Sequence, residues 1–374
     1  MFNASSGSGG PSLNQCLHKG PTLMPELVRV LIGFRCHRIA VVGDLEKAFL
    51  KVEVDPKDCD FLRTLWVKNF DPKSTDEKFD LVILRFSVCV FGVTSSPFHL
   101  MATTKYHCDK YRHAYPEIVE EIQRSMFVDD LISGADSVSD EHTLFTTAKL
   151  IFKEGGFNLR KFATNSSELR SIIEAEMNSK SEKVTKEGEG EIYSSFAEMT
   201  QQSFENPKTS NEQKVLGVVW NKEADKWIFR FDALIEVAQK LKRTRRGLLQ
   251  LFARIYDPLG LISPILIPMK VTFQSTCGSG LEWNTKLSKE QVKCVEEWLA
   301  DLKEVGQIDY PRYCLNFKRS EILKTQIVGF SDASSLAFGA VVYIRTEVSD
   351  KTEVNLIMSK SRVAPQKKVT IPRL

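Results

Sequence analysis

Apolar residues recur every three or four positions from Pro25 to Phe34, putting Leu27, Val30, Leu31 and Phe34 on one face of a predicted helix. The pattern then becomes continuous: Ile39-Ala40-Val41-Val42-Gly43 is a buried strand that ends on Asp44, and Lys51–Val54 continues as extended chain. Phe61–Phe70 and Asp80–Val90 form a β-pair across a polar loop containing Asp71-Pro72. Ser96-Pro97 opens a helix, because proline is favoured at a first helical position. Met126–Ile132 is a hairpin with Asp129 and Asp130 at its turn. From Ser137 to Glu154 the helical period returns, with Leu144, Phe145, Ala148, Ile151 and Phe152 on one face and Gly155-Gly156 as the stop.

Between Thr164 and Gln213 the apolar anchors thin out and Ser, Glu, Lys, Asn and Gln dominate, which predicts an insertion, partly disordered. Order resumes at Val215–Trp220. A basic run of Lys240, Lys242, Arg243, Arg245 and Arg246 leads into an apolar helix reaching about Tyr256, broken by Asp257-Pro258-Leu259-Gly260. A last unit begins near Thr325, with strands at Ile327–Ser331 and Ala340–Ile344. Phe2–Pro11 is a small, polar loop, and there is no internal repeat.

At 374 residues the chain is too long for one ordinary core, so two or three domains are expected. The 51 basic and 48 acidic side chains leave a net charge of +3, so a nucleic-acid partner must be argued from local patches. Eight cysteines contain no C-x-x-C pair, which excludes a disulfide framework or zinc finger and predicts reduced thiols in an intracellular, cytoplasmic or nuclear setting. His107, Cys108 and His113 read as surface helix residues, because zinc needs four convergent ligands. The apolar stretch Leu259–Met269 is short and carries Pro264 and Pro268, so no membrane span is expected.

Two strands that each deliver carboxylates at one end suggest a site for hard divalent cations: three acids that close repel one another unless a cation sits among them. Val42-Gly43-Asp44-Leu45-Glu46-Lys47-Ala48-Phe49 and Phe127-Val128-Asp129-Asp130 resemble the catalytic motifs of a reverse-transcriptase palm. Phe91-Gly92-Val93-Thr94-Ser95-Ser96-Pro97-Phe98 between them, and Asn158–Phe162 and Val215-Leu216-Gly217 after them, resemble further motifs in the family's order. Phe252–Pro264 and Ser359–Pro365 are similar to the Pao/BEL group of long-terminal-repeat retrotransposons, so the resemblance covers essentially the whole chain. The block around Asp257 resembles a region often labelled a peptidase, yet a retroviral-type aspartic protease needs Asp-[Ser/Thr]-Gly and the chain has none; the block is expected to be connection structure.

The resemblance implies an α+β fold with this organisation: 1–163, palm with a remnant of fingers; 164–213, the insertion; 214–310, thumb and connection; 320–374, the N-terminal part of a ribonuclease H-like domain. It implies an RNA-directed DNA polymerase that acts on an RNA or DNA template-primer and deoxynucleoside triphosphates, with two Mg²⁺ (Mn²⁺ an alternative) held by Asp44 and Asp129 and supported by Asp130. Phe49 would exclude a ribose 2′-hydroxyl. Gly92 would allow close approach of template or base, with Phe91, Ser96, Pro97, Phe127 and Val128 lining the substrate site. Lys161 would protonate pyrophosphate. On residues alone, Phe49 also reads as core, Asp130 as a turn residue, Arg160-Lys161 as a solvated pair, and the basic run either as a phosphate contact or as a solvated face. Gly329–Ser334 followed by Phe338–Tyr343 resembles the opening of ribonuclease H, with Asp332 its first metal-binding acid; one aspartate cannot hold two metals, so no ribonuclease H activity is expected from this chain alone. The family's fingers and later ribonuclease H acids are expected to lie outside this stretch, leaving a polyprotein fragment whose inactive, nucleic-acid- or protein-binding form is the alternative. Oligomeric state is left open.

Overall fold

A computed structural model of the chain describes residues 2–7, 9–68, 80–181, 211–277 and 282–365. In chain order these residues form helices α1 (Leu13–Cys16) and α2 (Leu27–Arg35), strand β1 (Ile39–Leu45), the pair β2 (Arg63–Val67) and β3 (Leu81–Arg85), and helices α3 (Ser96–Asp109) and α4 (Pro116–Ser125). Next come β4 (Met126–Phe127), β5 (Asp130–Ala135), α5 (Val138–Glu154), β6 (Leu159–Thr164) and α6 (Ser167–Ser181). Beyond residue 211 lie β7 (Glu212–Val215), β8 (Val218–Asn221), β9 (Lys226–Arg230), α7 (Asp232–Lys240), α8 (Arg245–Phe252), α9 (Ser263–Ser275), α10 (Lys289–Val305), β10 (Gln307–Pro311), β11 (Lys324–Ala333), β12 (Ala337–Glu347) and β13 (Thr352–Val363). The expected α+β class holds: helices accompany sheets ordered β4-β5-β1-β6, β10-β9-β8-β7, β11-β12-β13 and β2-β3, with antiparallel pairing at β4–β5 and throughout the last three sheets.

The chain divides into two compact units. The first comprises Met1–Glu26, Val41–Ser133 and Ser139–Ala163; the second comprises Leu27–Ala40, Gly134–Val138 and Thr164–Leu374. Sequence boundaries alone place α2 with the residues that follow it. Its packing assigns it to the second unit instead, because Phe34 sets its ring edge-on to Trp220 at 5.1 Å and lies 5.8 Å from Trp227. Both tryptophans are fully buried. Burying each of these rings contributes roughly 1.5–3 kcal/mol, enough to outweigh proximity along the chain.

In the first unit, α5 buries Phe145, Ala148, Ile151 and Phe152 of the predicted stripe and leaves Leu144 half-buried. A β-carbon on Gly43 would stand 3.0 Å from the Leu159 side chain and 3.5 Å from the Phe145 ring, so the glycine lets α5 and β6 close over β1 just before Asp44. Three local expectations change. Ala48–Lys51 is a 3₁₀ turn, with extended chain resuming only at Val52 and Glu53 bridging to Val88. The stretch after Thr164 is not purely an insertion: α6 is helical because Leu169 and Ile173, four apart, are both buried, two anchors hidden by polar neighbours. The predicted disorder bears mainly on residues 182–210, outside the described residues, as is the Asp71-Pro72 loop. His107 and Cys108 are not surface residues: Cys108 is buried and His107 Nε2 lies 2.7 Å from the Ile151 carbonyl oxygen.

Glu141, on α5, is fully buried, and its Oε2 lacks a hydrogen-bond partner. Ser133 donates to Oε1 at 3.3 Å. Burial, reinforced by nearby Glu121, pushes the carboxyl well above its ordinary value of 4.5. A carboxyl raised in the folded state favours folding when protonated and opposes it as pH climbs past the unfolded value. Glu141→Gln is therefore expected to match the parent near pH 4 and to gain on it at up to about 1.4 kcal/mol per pH unit above pH 4.5. Urea midpoints across pH 4–8 check this; parallel curves would refute it.

Candidate active site

Asp44 lies at the end of β1, and Asp129-Asp130 at the turn between β4 and β5. Phe127 pairs with Asp130, which makes Val128-Asp129 a two-residue turn, and the Leu45 amide donates to the Asp129 carbonyl at 2.8 Å, tying that turn to β1. Val128 carries φ +59°, a left-handed conformation that costs a β-branched residue roughly 1–2 kcal/mol. Strain of that kind persists where surrounding structure enforces it, and it concentrates at functional sites. Nothing in the sequence indicates this strain.

The three carboxylates act on one another. Burial raises Asp129, and the charge of Asp44 adds to the rise. Burial likewise pushes Asp130 up to about 7, with Asp129 and then Asp44 contributing. Lys161 opposes both shifts. Arg160 Nε lies 3.7 Å and Lys161 Nζ 3.8 Å from Asp44 Oδ2. Arg160 is shared, reaching Glu46 at 2.9 Å, while Asn158 donates to Glu46 at 2.8 Å. Lys161, exposed and at φ +53°, is the more available of the two cations.

Among the described residues, no three or more His, Cys, Asp or Glu side chains form a ready-made metal shell. The aspartates still suit Mg²⁺, which uses one or two carboxylates, keeps several waters and takes remaining ligands from substrate phosphates. Their mutual repulsion in a half-buried setting is what a cation relieves.

Phe49 is buried in the 3₁₀ turn and meets exposed Phe91 with ring centroids 4.7 Å apart. Gly92 has φ +92°, and a β-carbon there would lie 2.8 Å from the Phe2 carbonyl oxygen, so local packing already demands glycine. Ser96 is buried and donates to the Val90 carbonyl at 2.9 Å, which commits its hydroxyl internally, while Pro97 stands in the first turn of α3. Phe127 and Val128 are half-buried.

In the second unit the basic run separates into different roles. Arg243 bonds Glu296 at 2.9 Å and the Ala238 carbonyl at 2.7 Å; Arg245 lies over Trp283 at 4.4 Å; Arg246 bonds Asn284 at 3.1 Å. Lys240, Lys242 and Arg246 are exposed. Asp332 is exposed on β11, where its carboxylate accepts from the Ala333 amide. Asp257 accepts from the Leu261 and Ile262 amides at 2.9 and 2.8 Å, a capping role at the break before α9. Gly260 has φ +70°, and a β-carbon there would lie 1.9 Å from the Ser359 carbonyl oxygen; Ser359 in turn donates to the Leu259 carbonyl at 2.9 Å. The two blocks that resemble the Pao/BEL group thus touch each other.

No helix among the described residues is long and apolar enough to cross a membrane. No curated protein matches the chain. A similar solved structure is the foamy viral protease-reverse transcriptase in complex with RNA/DNA hybrid, at 16% identity and a TM-score of 0.48 over 92% of this chain and 36% of that one. This chain spans little more than a third of that protein's length. A family model described as the Pao retrotransposon-like RNaseH-like domain matches residues 244–374, beginning inside the expected thumb and connection and containing both contacting blocks and Asp332. Over those residues the chain is similar to the ribonuclease H-like domain of Pao retrotransposons.

Proposed function

We propose that the chain is the core of a retroelement RNA-directed DNA polymerase, joining a primer 3′-hydroxyl to the α-phosphate of a deoxynucleoside triphosphate and releasing pyrophosphate. The observation that carries this reading is the convergence of Asp44, Asp129 and Asp130, each raising or raised by another, at one strand end and one strained turn. Asp44 and Asp129 would hold Mg²⁺ or Mn²⁺, with Asp130 adding charge. When bound, two such ions activate the hydroxyl and neutralise the leaving pyrophosphate. Lys161 Nζ, within ion-pair reach of Asp44, supplies the proton for pyrophosphate. Phe49, braced by Phe91, faces the sugar and excludes a 2′-hydroxyl. Lys240, Lys242 and Arg246 offer template-primer phosphates salt-sensitive contacts.

Primer extension on an RNA template tests the reading. Mg²⁺-dependent incorporation of deoxynucleotides supports it. Template binding without incorporation at any Mg²⁺ or Mn²⁺ level favours a non-catalytic binding protein, and template loss without extension favours a nuclease. Phe49→Val is expected to lower discrimination against ribonucleotides by about 10–100-fold, read as the ratio of kcat/KM values. An unchanged ratio in a folded variant removes Phe49 from sugar selection.

A further inference from the structure

Cys36 follows the last residue of α2, and Cys314 follows Arg312-Tyr313; both lie in the second unit. The Cys314 amide donates to the Arg35 carbonyl at 2.9 Å, and Cys36 packs against the cluster formed by Cys314, Leu315, Ile344 and Ile357. The two cysteines therefore lie together in one cluster of the second unit. Cys314 is buried, whereas Cys36 is half-buried.

Three guanidiniums surround them. Arg35 bonds the Arg312 carbonyl at 3.1 Å, Arg312 is wholly buried, and Arg319 donates to the Cys36 carbonyl at 3.1 Å while pairing with Asp136 at 2.9 Å. Tyr313, packed against the same cluster, stays neutral because burial pushes its hydroxyl up to about 12, and His37 follows Cys36 directly in the chain. The C-terminal end of α2 disfavours an anion at Cys36. Interaction with the Cys314 thiol, aided by the guanidiniums, outweighs both this and burial, bringing the Cys36 thiol down to about 7, while Cys314 is driven up. By contrast, burial alone raises Cys89, and burial together with the charge of Asp109 pushes Cys108 up to about 12.

We propose that Cys36 and Cys314 form a peroxide-sensitive redox pair in which Cys36 attacks and Cys314 resolves. The Cys36 thiolate attacks one oxygen of hydrogen peroxide; the O–O bond breaks, and the hydroxide released takes up a proton as water, leaving a sulfenic acid. The Cys314 sulfur then attacks the Cys36 sulfur; the S–S bond forms, the S–O bond breaks, and the hydroxyl leaves with the Cys314 proton as a second water. Two thiols are oxidised and one peroxide is reduced. The disulfide fastens the end of α2 to the strand connection before β11.

The test uses the whole reduced chain, treated with stoichiometric hydrogen peroxide at pH 7.4, alkylated and digested with trypsin. The expected product is a single linkage joining peptides 36–38 and 313–318, with a mass loss of about 2 Da, formed at least about tenfold faster than oxidation of the exposed Cys16, Cys277 and Cys294. Cys314→Ser should leave a dimedone-reactive sulfenic acid at Cys36, and Cys36→Ser should abolish both products. Arg319→Gln should slow the reaction several-fold at pH 7.4 and leave it unchanged at pH 9, a pH dependence that mere loosening of the fold would not give. Circular dichroism on each variant reports folding. Recovery of Cys36 and Cys314 as alkylated thiols after the exposed cysteines have reacted overturns the proposal, as does an Arg319→Gln rate unchanged at both pH values.

Discussion

Asp129→Asn is expected to lower deoxynucleotide incorporation by at least about 10³-fold, roughly 4 kcal/mol of transition-state stabilisation, without destabilising the fold. The two effects separate because of the site's electrostatics. Asp129 is half-buried, raised first by burial and then by Asp44, so its anion is held at a cost. A carboxyl raised in the folded state opposes folding above its unfolded value, here 3.8, and asparagine removes that opposition. The amide occupies the same volume, and the backbone bond from Leu45 to the Asp129 carbonyl is untouched. The expected result is a thermal midpoint equal to or above the parent's, together with lost single-turnover incorporation. A structural role predicts the reverse pairing, with lower stability and activity falling only in proportion. Incorporation within tenfold of the parent would remove Asp129 from the proposed chemistry.

How much of this was legible in the sequence depended on the range of the interactions. The apolar run ending at Asp44, the stripe on α5 and the Phe127–Asp130 hairpin follow local periodicity, which one segment carries by itself. The β2–β3 pair and the strands β11 and β12 follow the same rule, with their ends shifted by a few residues. The site positions legible in the sequence are those fixed by their own strand end or turn, Asp44 on β1 and Asp129-Asp130 between β4 and β5. The misses are non-local or conformational. Val128 looks like an ordinary strand residue, and only the two-residue turn forces it to positive φ. The requirement for glycine at position 92 has a second source invisible in the sequence, the Phe2 carbonyl brought close from far away along the chain. Arg243 and Arg246 look like solvated charge until Glu296 and Asn284 arrive from other segments. Arg35, Asp225 and Arg312 carried no signal at all, because charged residues scattered along a chain read as surface.

Arg312 is where that silence matters most for stability. It is wholly buried, and its guanidinium spends its donors on five acceptors: both Asp225 oxygens, at 2.5 and 2.7 Å, and the carbonyls of Phe34, His37 and Arg38. Asp225 also accepts from Trp220 at 3.0 Å and Asn165 at 3.1 Å, so one ion pair joins α2, β8 and the chain after β6 and β10. Arg312→Met keeps much of the apolar stem but strands three carbonyls and a carboxylate. Breaking a buried pair by removing one partner typically costs about 3–5 kcal/mol, because the remaining charge is uncompensated. A loss in that range, measured from urea midpoints of the whole chain, is expected. Asp225→Asn in the Arg312→Met background should recover part of it, since the neutral amide can still serve Trp220 without a buried charge. If Arg312→Met costs less than about 1 kcal/mol, or if the second substitution adds its full single-variant cost, the network contributes little and the second unit is held by its aromatic core around Phe34, Trp220 and Trp227 alone.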